Sequence, residues 1–304
     1  MALHYSLLDV FSEQPFQGTQ IPVVTVDTAL PDHARTQIAG EFHQTETVFI
    51  DPRHPENPVA VFNSQGPACF GAHTLLAAAH AAHSLNISVS HGNYAQFDIK
   101  QGDETIHCFI DTPNNAETGQ IQFSRTLMPS IDRFTPPVER IAEALNLDKK
   151  HLSFSRYRPM AVRVDNPTLI VPVTRPEHIL AARLNSDRWS ELLAETYVND
   201  IFLFAPKSTS RDTQFHGRLL NPTIAHGVFP PIGNVIPEFI AFLVEQTETA
   251  PGTHTFSIDR GSDSTRRSVL HVEFDKRPGK PTQCRIGGNV IRMGAGELFF
   301  PAAA

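Results

Sequence analysis

The chain has 304 residues, 40% of them hydrophobic and 19% charged, with 24 prolines and 17 glycines. That is about two domains' worth of globular chain, too apolar for wholesale disorder, and no apolar run reaches the ~18 residues of a membrane span. Lys and Arg number 25 against 32 Asp and Glu, a net charge of −7 with no basic stripe, which argues against a nucleic-acid or anionic-membrane partner.

In chain order, MALHYSLLDVF at the N-terminus reads as a first strand over 4–11, without the basic and apolar segments of a secretory signal. A second strand is expected over 21–27, a helix from Pro31 to Phe42, and short strands over 46–50 and 59–63. GAHTLLAAAHAAHSL (71–85) is an Ala- and Leu-rich helix entered from a Gly-Pro loop. Segments 86–112 and 160–173 alternate as strands, and ARLN (182–185) and 187–197 read as helical pieces. A second Pro/Gly loop, NPTIAHGVFPPIGNV (221–235), leads into the apolar helix 237–246. From Phe256 to Phe300 short strands are separated by turns at RGSDS, RPGKP and IGG. Three cysteines (Cys69, Cys108, Cys284) without a CxxC pair suit a reducing compartment, so a soluble cytoplasmic protein is expected.

The loop–helix unit at 62–82 is echoed at 218–246. The echo suggests two pseudo-symmetric halves facing one cleft, with 111–137 as the linker.

Five segments carry a family pattern: LLDVFSEQPFQG (7–18), VDTALPDHARTQIAGEFHQTETVFI (26–50), AHTLLAAAH (72–80), RGSDSTRRSVLHVEF (260–274) and QCRIGGNVIRMGAGELFF (283–300). In order and spacing they resemble the phenazine-biosynthesis PhzF-like isomerases. The resemblance implies an α+β, diaminopimelate-epimerase-like fold. Its two pseudo-symmetric domains are each a curved, mostly antiparallel sheet around a central helix, with the active site between them. The expected domains are 1–125, completed by the strand 289–304, and 126–288. The resemblance also implies a homodimer, a small-molecule substrate, and no metal or organic cofactor.

The family's acid/base carboxylate falls on Glu46, where a dry cleft makes a carboxylate a stronger base than water does. Its Gly-His pair falls on Ala72 and His73, with Gly71 one residue early. His73 then sits at a helix N-terminus, whose free N–H groups and dipole favour negative charge. Gly71, Ala72 and Thr74 are the expected substrate contacts on this side. His80 and His83 follow His73 without a carboxylate or Cys at zinc spacing, so no metal site is expected. No nucleotide-binding glycine motif occurs.

The second half departs from the family. Val228 and Phe229 stand where it has Glu and Asp, and Ile232, Gly233 and Asn234 where it has Thr, Gly and Ser. His226 is the one titratable side chain of the loop. His226, Phe229, Ile232, Gly233 and Asn234 are therefore expected to line the substrate, the apolar members as a wall. Three functions fit. One is a cofactor-independent isomerase working through Glu46. Another is a cofactor-free cyclase or pericyclase of the Diels-Alderase kind, which needs shape more than paired acids. The last is an inactive small-molecule-binding protein.

Overall fold

A helix whose first two turns are apolar almost all round has to be surrounded there, and the first eight residues of Ala72–Ser84 are. The computed structural model describes residues 2–54, 56–111, 120–132, 134–207, 210, 212–225, 227–246 and 249–299. In it, residues 72–79 and Ala82 of this helix are buried. The chain divides into two compact units, Met1–Arg125 with Arg285–Ala304, and Thr126–Cys284. Among the described residues no helix is long and apolar enough to cross a membrane.

The first unit runs β1 (Ala2–Val10), β2 (Thr19–Thr25), α1 (Asp32–Glu41), β3 (Thr47–Ile50), β4 (Val59–Asn63), β5 (Gly66–Ala68) and α2 (Ala72–Ser84). It continues with β6 (Val89–Ser90), β7 (Tyr94–Gln101), β8 (Glu104–Asp111) and β9 (Gln120–Leu127). β1 pairs antiparallel with β2, β3 is parallel to β2, and β4 returns antiparallel to β3. The β6–β9 meander is antiparallel. The central helix α2 packs on β1, β2, β3, β7 and β8, while α1 packs on β4 and β5. Around α1 lies a core of Val24, Leu30, Ala34, Ile38, Phe49 and Phe62, with Tyr5 edge-on to Phe42.

The second unit runs β10 (Ser130–Asp132), α3 (Val138–Leu145), β11 (Met160–Arg163), β12 (Thr168–Pro172), α4 (Pro176–Ala181) and α5 (Ser186–Glu195). After these come β13 (Asp200–Pro206), β14 (Phe215–Leu220), α6 (Ile236–Gln246), β15 (Gly252–Arg260), β16 (Ser268–Lys276) and β17 (Thr282–Phe299), which ends in the first unit. β13 has the period of two of a strand buried on both faces. Ile201, Leu203 and Ala205 join the core that holds Ile179 of α4 and Trp189 of α5. Phe202 and Phe204 face α6, where Phe204 lies 4.8 Å from Phe239 and Phe215 5.3 Å from Phe239, ring centre to ring centre. Tilted and edge-on aromatic pairs of this kind each add about 0.5–1.5 kcal/mol beyond area burial.

Three sequence expectations change. Ile286-Gly287-Gly288 is no turn, because it lies buried inside the 18-residue strand β17. A Cβ on Gly287 would sit 2.6 Å from the Ile121 carbonyl oxygen, so this glycine serves close strand approach. Residues 182–185 are not helical. The helix lies earlier, at Pro176–Ala181, and the Arg218 guanidinium takes the carbonyls of Ile179 and Ala182 at its end. The 111–137 stretch is not a plain linker either, since β9 and β10 lie within it, while 112–119 and 133 fall outside the described residues.

Candidate active site

Glu46 is the residue just before β3, which begins at Thr47, one position later than the strand expected over 46–50. Its carboxylate Oε2 meets Nε2 of His73, the second residue of α2, across 27 positions of sequence. The two side chains are 17% and 4% exposed respectively, so the pair is nearly dry yet Glu46 is reachable. Among the described residues no side chain or backbone group bonds the second Glu46 oxygen, and Nδ1 of His73 is buried without a partner. With Nε2–H donated to Glu46, the imidazole holds that carboxylate in one orientation, and the other oxygen is left to accept.

The helix start is prepared for an electron-rich group. Gly71 is the N-cap and offers no side chain to compete for the N–H groups of the first turn. Thr74 folds its hydroxyl back to Gly71, accepting from Gly71 N at 2.8 Å and donating to Gly71 O at 3.0 Å. Gln101 accepts from Phe70 N at 3.1 Å and tethers the loop before them. Glu46, Gly71, Ala72, His73 and Thr74 are thus gathered at one helix end. Thr74 is engaged by the loop, which makes it a brace for the turn.

In the second unit, Gly233 and Asn234 sit in a 3-10 turn, Gly233–Val235, that runs into α6. Gly233 is buried and Asn234 exposed. The expected apolar wall is revised. Ile232 is 1% exposed, hence core, whereas Phe229 is half-buried with the Arg218 guanidinium 4.6 Å from its ring centre. Burial and the neighbouring Arg183 pull Arg218 down to about 10, which leaves it charged at neutral pH. His226 lies outside the described residues.

The sequence reading passed over Asp200. β13 is parallel to β12 as β3 is to β2, and pairs antiparallel with β14 as β3 does with β4. Ile201 faces Leu220 as Thr47 faces Phe62, so the residue before each, Asp200 and Glu46, holds the equivalent place in its unit. The next residues agree. Asn221 accepts from Thr223 N at 2.9 Å as Asn63 accepts from Gln65 N at 2.8 Å. Asn221 also donates to Asp200 at 2.8 Å, yet burial outweighs that bond and pushes the Asp200 carboxyl above its ordinary range. The signal was present: a carboxylate directly before an apolar strand, Asp200-Ile-Phe-Leu-Phe, echoes Glu46-Thr-Val-Phe-Ile.

Two units, each a sheet packed with helices, the first of which carries an imidazole–carboxylate pair at a helix N-terminus, make this an α+β protein of the diaminopimelate-epimerase-like fold. The comparisons agree and go further: the phenazine biosynthesis-like protein family, PhzC-PhzF, matches residues 8–296, and the chain belongs to it. An uncharacterized isomerase of Mesorhizobium japonicum is 23% identical, covering 97% of this chain and 98% of that protein. A PhzF-family phenazine biosynthesis protein of Bacillus anthracis superposes with TM-score 0.81 at 16% identity, over 99% of this chain and 100% of that one. An epimerase, so designated by prediction, from Pseudomonas aeruginosa gives TM-score 0.74 at 24% identity, over 98% and 99%.

Proposed function

We propose that the protein is a cofactor-independent isomerase in which Glu46 moves a proton between two carbons of a small molecule. The contact of Glu46 with His73 at the start of α2 carries this reading, supported by family membership and by a relative named as an isomerase. The free Glu46 oxygen removes a proton from a carbon activated by a neighbouring carbonyl or enol. The electron pair moves into the substrate's π-system, and its oxygen rests at the N–H groups of the α2 start. The same carboxyl then returns the proton at another carbon, so nothing is gained or lost. His73 keeps the carboxylate aimed throughout.

Asp200, held by Asn221 at 2.8 Å, is proposed as the second titratable carboxylate of this reading, in a unit whose loop at 228–229 lacks the family's acids. Gly233 and Asn234 are proposed as further substrate contacts. In the test, purified protein is incubated in D2O with a bacterial metabolite extract, and mass spectrometry seeks a compound that gains deuterium and changes retention. The native protein produces such a compound and Glu46→Gln does not. If Glu46→Gln converts the same compound at an undiminished rate, shape-based cyclisation replaces proton transfer as the chemistry.

A further inference from the structure

A cavity of about 500 Å³ lies within the first unit, beside the C-terminal half of α2. It is lined by His80, Ala81, Ser84 and Leu85, about 10–18 Å along the helix from His73 at 1.5 Å per residue. The cavity therefore stands apart from the candidate active site. Part of its lining is apolar, from Leu8, Val23, Ala81 and Leu85. Polar side chains also line it, among them Ser6, Thr25, His80 and Arg292. Among the described residues, the side chains of Ser6, Thr25 and His80 have no hydrogen-bond partner, and Arg292 has no carboxylate. The cavity's one carboxylate, Glu297, is engaged by His4 at 3.4 Å.

The backbone shapes this arrangement. β17 pairs with β1 in regular register from Phe299 to Gly294, then skips, so that Leu7 faces Gly294 and Leu8 faces Arg292. Met293 is the extra residue of a β-bulge, a device that re-aims the side chains beside it. The following residues, Gly294, Ala295 and Gly296, are the smallest available, and Ala295 and Gly296 line the cavity without filling it. Burial, with the charges of His83 and Arg292, pulls His80 down to about 4. It therefore offers a neutral hydrogen-bonding ring at neutral pH.

We propose that this cavity is a second binding site, taking a small carboxylate with an apolar body. The carboxylate lies on the Arg292 guanidinium and the hydroxyls of Ser6 and Thr25, and the apolar body rests on Leu8, Val23 and Leu85. A guanidinium fork matches a carboxylate in two parallel bonds, and a half-apolar concavity with a few convergent polar groups is the usual form of a small-molecule site. The proposal does not depend on the isomerase reading.

The probes are benzoate, acetate and inorganic phosphate, titrated into the 15N-labelled full-length protein. Benzoate should shift the amides of Ser6, Thr25, Ala81, Ser84 and Gly296 saturably, at lower concentration than acetate or phosphate. Arg292→Gln should weaken it by about ten- to a hundredfold, the range of a lost charged hydrogen bond. Ala295→Leu, an exposed position whose larger side chain fills the space, should abolish the same shifts. Glu46→Gln should leave them unchanged. Absence of saturable shifts at these amides, or shifts that survive Arg292→Gln and Ala295→Leu, would overturn the proposal. Phosphate binding more tightly than benzoate would assign the site to phosphate and overturn the carboxylate.

Discussion

Glu238 offers the sharpest test of how the second unit holds the start of α6. It is the third residue of that helix and fully buried, and one carboxylate oxygen accepts from three successive backbone N–H groups. The distances are 3.1 Å to Val164 N, 2.8 Å to Asp165 N and 3.0 Å to Asn166 N, so Glu238 closes the turn between β11 and β12. Glu238→Ala strands these three donors. A buried unsatisfied donor costs about 1–3 kcal/mol, but Asp165 and Asn166 are exposed and water can reach them. Removing a carboxylate whose burial raises its pKa returns part of the loss. The net is a destabilisation of about 2–4 kcal/mol, which moves a urea midpoint by about 1–2 M at usual slopes. Trp189 is the only tryptophan and is 2% exposed in this unit, so its fluorescence follows the transition directly. Glu238→Gln should lose less, and its deficit should shrink with rising pH. A carboxyl with a raised folded-state pKa gives up stability as pH climbs through that value, whereas glutamine does not titrate. A midpoint for Glu238→Ala within the error of the native one would refute the idea that this carboxylate anchors the turn.

Glu46→Gln should cost about 10²–10⁴-fold in turnover with folding intact, the usual worth of a general base, as read by deuterium incorporation and circular dichroism. Asp200→Asn should slow the same conversion yet leave the protein as stable or more stable at neutral pH. Its raised carboxyl is an asset only in acid, so the thermal midpoints of the two proteins should converge as pH falls; a native midpoint that stays higher at neutral pH would contradict this. Gly287→Ala should destabilise by about 2 kcal/mol or more, because a backbone carbonyl cannot yield to the new Cβ. An unchanged midpoint there would mean the strands separate without cost.

The helices at 32–41, 72–84, 186–195 and 236–246 and half of the site were legible because they depend on local pattern, whereas Val138–Leu145 went unread. The Ala- and Leu-rich run over 72–84 announces a surrounded helix, and the Thr-Glu-Thr-x-Phe run marks Glu46 through its family resemblance. What escaped depends on partners far away in sequence. The glycines at 287 and 288 look like a turn until Ile121 is found opposite them. Asp200 looks like an ordinary surface acid until the register of β13 places it as the counterpart of Glu46. Arg218 gave no sign that it would end α4, a contact across 39 residues, or that a loop would bring Phe229 over its guanidinium.

The pairing of β1 with β17 also has a consequence for biosynthesis. Ala2 lies beside Phe299, so β1 waits for a strand made almost 300 residues later. At about 5–20 residues per second, the ribosome leaves β1 with an unpaired flank for roughly fifteen seconds to a minute. Meanwhile everything from Thr126 onward is emerging in one uninterrupted block. The second unit can close on itself within that interval, as an insertion carried by an unfinished host. Over that period the exposed flank of β1, with Leu3, Leu7 and Leu8 along it, is the part of the nascent chain most open to mispairing.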